Sequence, residues 1–89
     1  MTHATQQTSL WAYQEIQATL APRQQQVYEA LKRSEGMTNG ELSSFLNVPI
    51  NSITPRIFEL REKGLVREKE KRICKSSGFR AITWEVAPT

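Results

Sequence analysis

Thr38-Asn39-Gly40-Glu41-Leu42-Ser43-Ser44-Phe45-Leu46-Asn47-Val48-Pro49-Ile50-Asn51-Ser52-Ile53-Thr54-Pro55-Arg56-Ile57 is the stretch on which the fold turns. Thr38 followed three residues later by Glu41 is a capping box: hydroxyl and carboxylate satisfy each other's otherwise unpaired backbone N–H groups at a helix start. Leu42, Phe45 and Leu46 fall at i, i+3 and i+4, which places them on one core-facing stripe of a short helix. Asn47 tolerates the left-handed conformation that ends a helix. Pro49 disfavours the α region at Val48, so the chain must turn there. Asn51 or Ser52 is placed to cap a further helix, with Thr54-Pro55 in its first turn, where proline is tolerated. Ile53, Ile57 and Leu60 then recur at i, i+4 and i+7.

Working outward, Arg61 and Lys63 suit the negative end of the helix dipole. Gly64 supplies a stop, and Leu65 is the hydrophobic residue that commonly follows one. Upstream, Pro22 fits the first position of a helix running to about Ser34. Val27, Ala30 and Leu31 form its stripe, Tyr28 flanks it, and Ser34-Glu35-Gly36 ends it. Downstream, Leu65 to about Lys69 reads as a strand and 70–78 as a turn. Phe79 to Val86 reads as a second strand, with Ile82, Trp84 and Val86 alternating on one face and Pro88 beyond its end. Two helices joined by a short turn are a helix-turn-helix unit. Preceded by a third helix and followed by a β-hairpin, this is an α+β winged arrangement. Leu42, Phe45, Leu46, Val48, Ile50, Ile53, Ile57 and Leu60, joined by Val27, Leu31, Leu65, Ile82 and Trp84, are its expected core. Before it, 1–8 reads as a disordered tail and 9–20 as an extra short N-terminal helix, with Leu10, Tyr13, Ile16 and Leu20 at helical spacing and Trp11 beside them. The expected organisation is therefore tail 1–8, extension 9–20 and one winged domain 21–87.

Composition removes most chemistry. All nine acids among the 89 residues are Glu, and there is one His (His3) and one Cys (Cys74). A triad, a multi-cysteine zinc site and an internal disulfide framework all lack their residues, so no enzyme, metal or cofactor is expected. No stretch reaches the roughly 18 consecutive apolar residues of a membrane span. The polar start lacks the apolar core of a secretory signal, and a lone thiol suits a reducing compartment, which gives a cytoplasmic expectation. The net charge of +3 is uneven: residues 1–40 balance to zero, whereas 41–89 carry nine basic and six acidic side chains. Within 67–80, Arg67, Lys69, Lys71, Arg72, Lys75 and Arg80 face only Glu68 and Glu70. Such density on one short segment marks a polyanion contact or, more blandly, a solvated hairpin.

Thr38-Asn39-Gly40-Glu41-Leu42, Leu46-Asn47-Val48-Pro49, Ile53-Thr54-Pro55-Arg56-Ile57 and Glu59-Leu60-Arg61-Glu62-Lys63-Gly64-Leu65-Val66 together resemble the winged helix-turn-helix domains of bacterial regulators. Asn51 to Arg56, with Ser76-Ser77-Gly78-Phe79-Arg80-Ala81 and Trp84-Glu85, is similar to small winged-helix proteins of phages and prophages. The resemblance implies a sequence-specific duplex DNA-binding regulator, with recognition helix 51–63 in the major groove and wing 69–80 on the backbone or in the minor groove. The expected DNA-contacting residues are Thr38, Asn39, Asn51, Ser52, Thr54, Pro55, Arg56, Lys71, Arg72, Lys75, Ser76 and Arg80. Arg56 suits guanine, Asn51 suits adenine, and Pro55 or the Thr54 methyl suits a thymine methyl. Thr38 and Asn39, at a helix start, suit phosphate.

Plainer readings stand beside these. Glu59 can simply pair with Arg56 or Lys63, and Asn51 and Ser52 can be caps alone. Phe58 lies off the core stripe and either packs under the N-terminal helix or contacts a partner. Trp84 reads as core and Cys74 as incidental. Leu10, Trp11 and Tyr13 are either satellite core or one half of a homodimer interface. The functional alternative is a protein-docking or assembly adaptor on the same fold, favoured by Glu41, Glu59 and Glu62 near the presumed DNA face.

Overall fold

The computed structural model describes residues 20–88. The expectations for the tail 1–8 and for the helix and dimer contacts of Leu10, Trp11 and Tyr13 lie outside the described residues.

Pro22 opens the first helix, α1 (Pro22–Lys32), at the position where its missing N–H costs nothing. The Gln24 side chain reaches back to accept from Ala21 N at 2.9 Å. Ser34 ends the helix: its hydroxyl donates to Leu31 O and accepts from Gly36 N. The capping box forms at the second helix, α2 (Asn39–Leu46), where Thr38 Oγ1 accepts from Glu41 N and Glu41 Oε1 accepts from Thr38 N, each at 3.1 Å. Asn47 ends it in the left-handed region, φ 56° and ψ 49°.

The third helix, α3 (Ile50–Glu62), starts earlier than the sequence suggests. Pro49 is its cap residue and accepts from Ser52 N through its carbonyl, so neither Asn51 nor Ser52 caps the helix. Pro55 therefore sits inside the helix rather than in its first turn. Having no N–H, it leaves the Asn51 carbonyl without its i+4 donor. Gly64, at φ 75°, lets Leu65 N close back on Leu60 O at 3.0 Å, a left-handed stop that a β-carbon would oppose.

Two antiparallel strands follow, β1 (Val66–Ile73) and β2 (Arg80–Val86). Val66 pairs with Val86 and Ile73 with Arg80, with one extra residue in β1 between Glu68 and Lys71. The buried Thr83 hydroxyl mends this bulge, accepting from Glu70 N and donating to Glu70 O. The first strand is longer than expected, so Lys71 and Arg72 lie on it rather than at the tip, and Arg80 opens the second. Met37 also pairs with Trp84 through two backbone hydrogen bonds, a short third arm of the sheet.

Val27, Tyr28 and Leu31 of α1, Leu42 of α2, Ile53, Ile57 and Leu60 of α3, and Leu65, Val66 and Trp84 form one core. Leu20, Met37, Leu46, Val48, Ile82 and Val86 pack around it. Trp84 is core, as expected, with the Arg61 guanidinium 5.0 Å from its ring centre. Two expected core members are corrected: Phe45 is 65% exposed and Ile50 51%. Phe45 stands with Leu46 and Ala30 in an open cleft along α1 that no other described element covers, and Ile50 is the first residue of its helix, beside the turn rather than over the core. Phe58 is also exposed.

Candidate nucleic-acid interface

The side of α3 opposite Ile53, Ile57 and Leu60 is open. Asn51, Thr54 and Pro55 are exposed there; Ser52 and Arg56 are half-buried, Arg56 on the flank that turns towards α1. This face is continuous with the start of α2, because Asn39 Nδ2 donates to Thr54 Oγ1 at 3.3 Å. Asn39 Oδ1 is buried and has no hydrogen-bond partner among the described residues. The Asn39 and Gly40 N–H groups, at the first two positions of α2, have no intrahelical acceptor.

Arg56 does not swing freely. Its Nε and Nη2 donate to the two Glu59 oxygens at 2.7 and 2.9 Å. Glu59 Oε1 also accepts from Gln24 Nε2 at 2.8 Å, so α1 braces the pair from behind. The hydrogen bond from Arg56, then that from Gln24, hold the Glu59 carboxyl below its ordinary pKa, and the Arg56 guanidinium is raised in return. This leaves the guanidinium edge carrying Nη1 unpaired among the described residues, aimed by its neighbour instead of by solvent.

The wing turn is docked on the first turn of α2. Arg72 turns inward: Nη1 and Nη2 donate to Glu41 Oε2 and Oε1, both at 2.6 Å, and Nη2 also reaches Gly36 O. Lys75 N donates to Glu41 Oε2 at 2.8 Å. Glu41 is 8% exposed. The Arg72 hydrogen bond, working against burial and aided by the Lys75 and Thr38 amides, brings its carboxyl from 4.5 to about 2. Cys74, far from being a bare tip residue, is buried, with Sγ 2.9 Å from Thr38 Oγ1. Burial pushes its thiol up, but hydrogen bonds from Thr38, Ser77 and Ser76 outweigh this and bring it to about 7. A β-carbon on Gly40 would stand 3.1 Å from this sulfur, so glycine is what permits the close approach. Ser44 and Ser76 meet through their hydroxyls at 2.9 Å.

The expected contact residues therefore divide. Asn51, Thr54, Pro55 and Asn39 share one surface, which the docked turn carrying Lys75 and Ser76 extends past Gly40. Lys71, Lys75 and Arg80 are exposed and make no ion pair among the described residues. Two expectations are corrected. Thr38 is fully buried and its hydroxyl is spent on the cap and the thiol, so its side chain cannot reach a phosphate. Arg72 is spent on Glu41 and Gly36 and is a strut within the fold. The sequence reading missed the second role of Glu41: a carboxylate already explained by a capping box gives no local sign of a partner 31 residues away.

The chain belongs to the winged helix-turn-helix DNA-binding family, whose model matches residues 20–67. A search of curated proteins found no match. Three helices followed by an antiparallel hairpin are consistent with that family. Among the described residues no group of three or more His, Cys, Asp or Glu is placed to hold a metal ion, and no helix is long and apolar enough to cross a membrane.

Proposed function

We propose that this protein is a sequence-specific duplex DNA-binding regulator of phage or prophage type, with α3 in the major groove and the wing on the backbone or in the minor groove. It acts on DNA in the cytoplasm of a bacterial or phage-infected cell. The observation that carries this is the braced Arg56. Glu59 occupies one edge of the guanidinium and is itself held by Gln24. The other edge stays unpaired among the described residues, one position along α3 from the exposed Pro55. A bidentate contact from Arg to guanine O6 and N7 is the commonest specific contact in the major groove, and prior orientation lowers its entropic cost. The free Asn39 and Gly40 amides and the cations Lys71, Lys75 and Arg80 supply phosphate contacts on either side. Pairing also answers two of the three acidic residues near this face: Glu41 and Glu59 are neutralised by Arg72 and Arg56, while Glu62 is exposed.

One winged helix offers few contacts, so useful specificity calls for two half-sites about one helical turn apart. The N-terminal segment containing Leu10, Trp11 and Tyr13 is our candidate for joining two copies. Selection of bound sequences from a random duplex pool tests the reading. A consensus with a guanine whose selection disappears in Arg56→Ala supports it, and no enrichment at low salt overturns it.

The adaptor reading keeps one specific observation in its favour. Phe45 is exposed beside Leu46 and Ala30 in a shallow, largely apolar cleft between α1 and α2. Failure to bind duplex DNA, with Phe45→Ala abolishing a protein contact, would select it.

A further inference from the structure

Phe79 has no part in the contacts described so far. It stands in the wing turn and is 75% exposed, more than any other large apolar side chain among the described residues. Its surroundings in the chain are cationic. Arg80 follows it, Lys75 lies across the turn, and Lys71 is on the adjoining strand, none of them in an ion pair among the described residues. The turn that carries it is fastened at several points. Cys74 N donates to Phe79 O and Gly78 N to Cys74 O, each at 2.8 Å. Cys74, Lys75 and Ser76 are in turn bonded to Thr38, Glu41 and Ser44 of the α2 region.

That fastening decides what the ring can do. A loose loop could lay a phenyl ring against the fold and recover the apolar area it exposes. Here the backbone is tied down, so the loop itself cannot fold over to cover the ring, which stays 75% exposed. An exposed apolar group on a fastened turn, with unpaired cations along the same hairpin, fits a surface that is anionic at its rim and apolar within. The minor groove of a duplex, with phosphates outside and stacked bases inside, has that character.

We propose that Phe79 is an apolar wedge for the minor groove. Arg80, Lys75 and Lys71 hold the flanking phosphates, and the phenyl ring leans into one base step, partly unstacking it and kinking the duplex. The wedge rests on the reading of the chain as a duplex-DNA binder, and it adds a source of sequence preference apart from α3. Pyrimidine–purine steps such as TA yield most easily to unstacking, and stiff A-tracts resist it. The site would thus select for deformability at a position where no base edge is read.

The test uses short duplexes end-labelled with a donor–acceptor pair, one set carrying a central TA step and one a central A-tract, titrated with the full chain. Wild type should raise energy transfer at saturation, more on the TA duplex than on the A-tract. Phe79→Ala should bind roughly tenfold more weakly, with an unchanged salt slope, and should not raise energy transfer. Phe79→Leu should keep part of the rise. An unchanged unfolding midpoint in both variants separates these effects from misfolding. Binding by wild type without a rise, or an equal rise with Phe79→Ala, overturns the wedge and leaves the DNA reading standing. If Phe79→Ala abolishes binding, Phe79→Leu decides: bending retained supports the wedge, and bending lost overturns it. No binding by wild type at low salt overturns the parent reading and the wedge with it.

Discussion

Replacing Arg72 by alanine removes the guanidinium that closes both oxygens of Glu41 at 2.6 Å and leaves a carboxylate that is only 8% exposed. The Thr38 and Lys75 amides remain as its partners. Losing one member of a buried pair costs about 3–5 kcal/mol. Arg72 is itself 30% exposed, which admits water to the site and brings the figure to about 2–3 kcal/mol. The carboxyl's fall from 4.5 to about 2 has the same direction, with the Arg72 hydrogen bond its largest cause and the Lys75 and Thr38 amides adding to it. The sign follows from the direction of the shift. A carboxylate whose pKa is depressed in the folded state contributes fully above 4.5, and the contribution drains away as pH falls towards 2. Urea unfolding at neutral pH should therefore show Arg72→Ala and Glu41→Gln each destabilised by ~2 kcal/mol or more, and the double variant destabilised by less than their sum. Followed downward in pH, the gap between wild type and Glu41→Gln should close between 4.5 and 2. An Arg72→Ala protein within about 0.5 kcal/mol of wild type, or a gap that does not change with pH, would refute the claim that this pair fastens the wing.

Leu60→Ala, at a fully buried core position, should cost ~2–5 kcal/mol by leaving a cavity, measurable as a lowered denaturant midpoint at constant m. Gly40→Ala should cost on the order of 1 kcal/mol because the new carbon stands 3.1 Å from Cys74 Sγ, and pairing it with Cys74→Ala should recover much of that loss. Lys71, Lys75 and Arg80 supply the phosphate-range cations, so binding to random duplex DNA should weaken with salt at a log–log slope of about −3. Lys75→Ala should reduce that slope by about one and weaken all sequences alike, whereas Arg56→Ala should flatten sequence preference by ~1–3 kcal/mol at one base.

The helices were legible because their ends carry chemistry of their own. Thr38 with Glu41, Asn47 and Gly64 all do what their residue types require. The start of α3 was misplaced because Asn51 and Ser52 are strong capping residues, while Pro49 caps through its carbonyl and leaves no side-chain signature. The wing was foreshortened for a different reason. Arg67 to Lys71 is exposed throughout, so β1 shows no apolar alternation, and a charged strand with solvent over it reads as a loop. Phe45 illustrates the limit of periodicity, which names a stripe but not which part of it another element covers. Of the candidate site, the residue types on α3 could be read directly. The bracing of Arg56 by Gln24 and the inward turn of Arg72 could not, because each joins positions more than thirty residues apart.

The Glu41–Arg72 pair bears on how this scaffold can change over generations or be recombined in the laboratory. The hairpin is anchored by a carboxylate that belongs to another segment, so it is not an interchangeable cassette. A transplanted hairpin without an arginine at the matching position would strand a charge in the host, and one moved elsewhere would arrive without its mooring. Productive exchange has to carry the Thr38–Glu41 turn together with 72–76, which ties two stretches far apart in the gene into a single inherited unit.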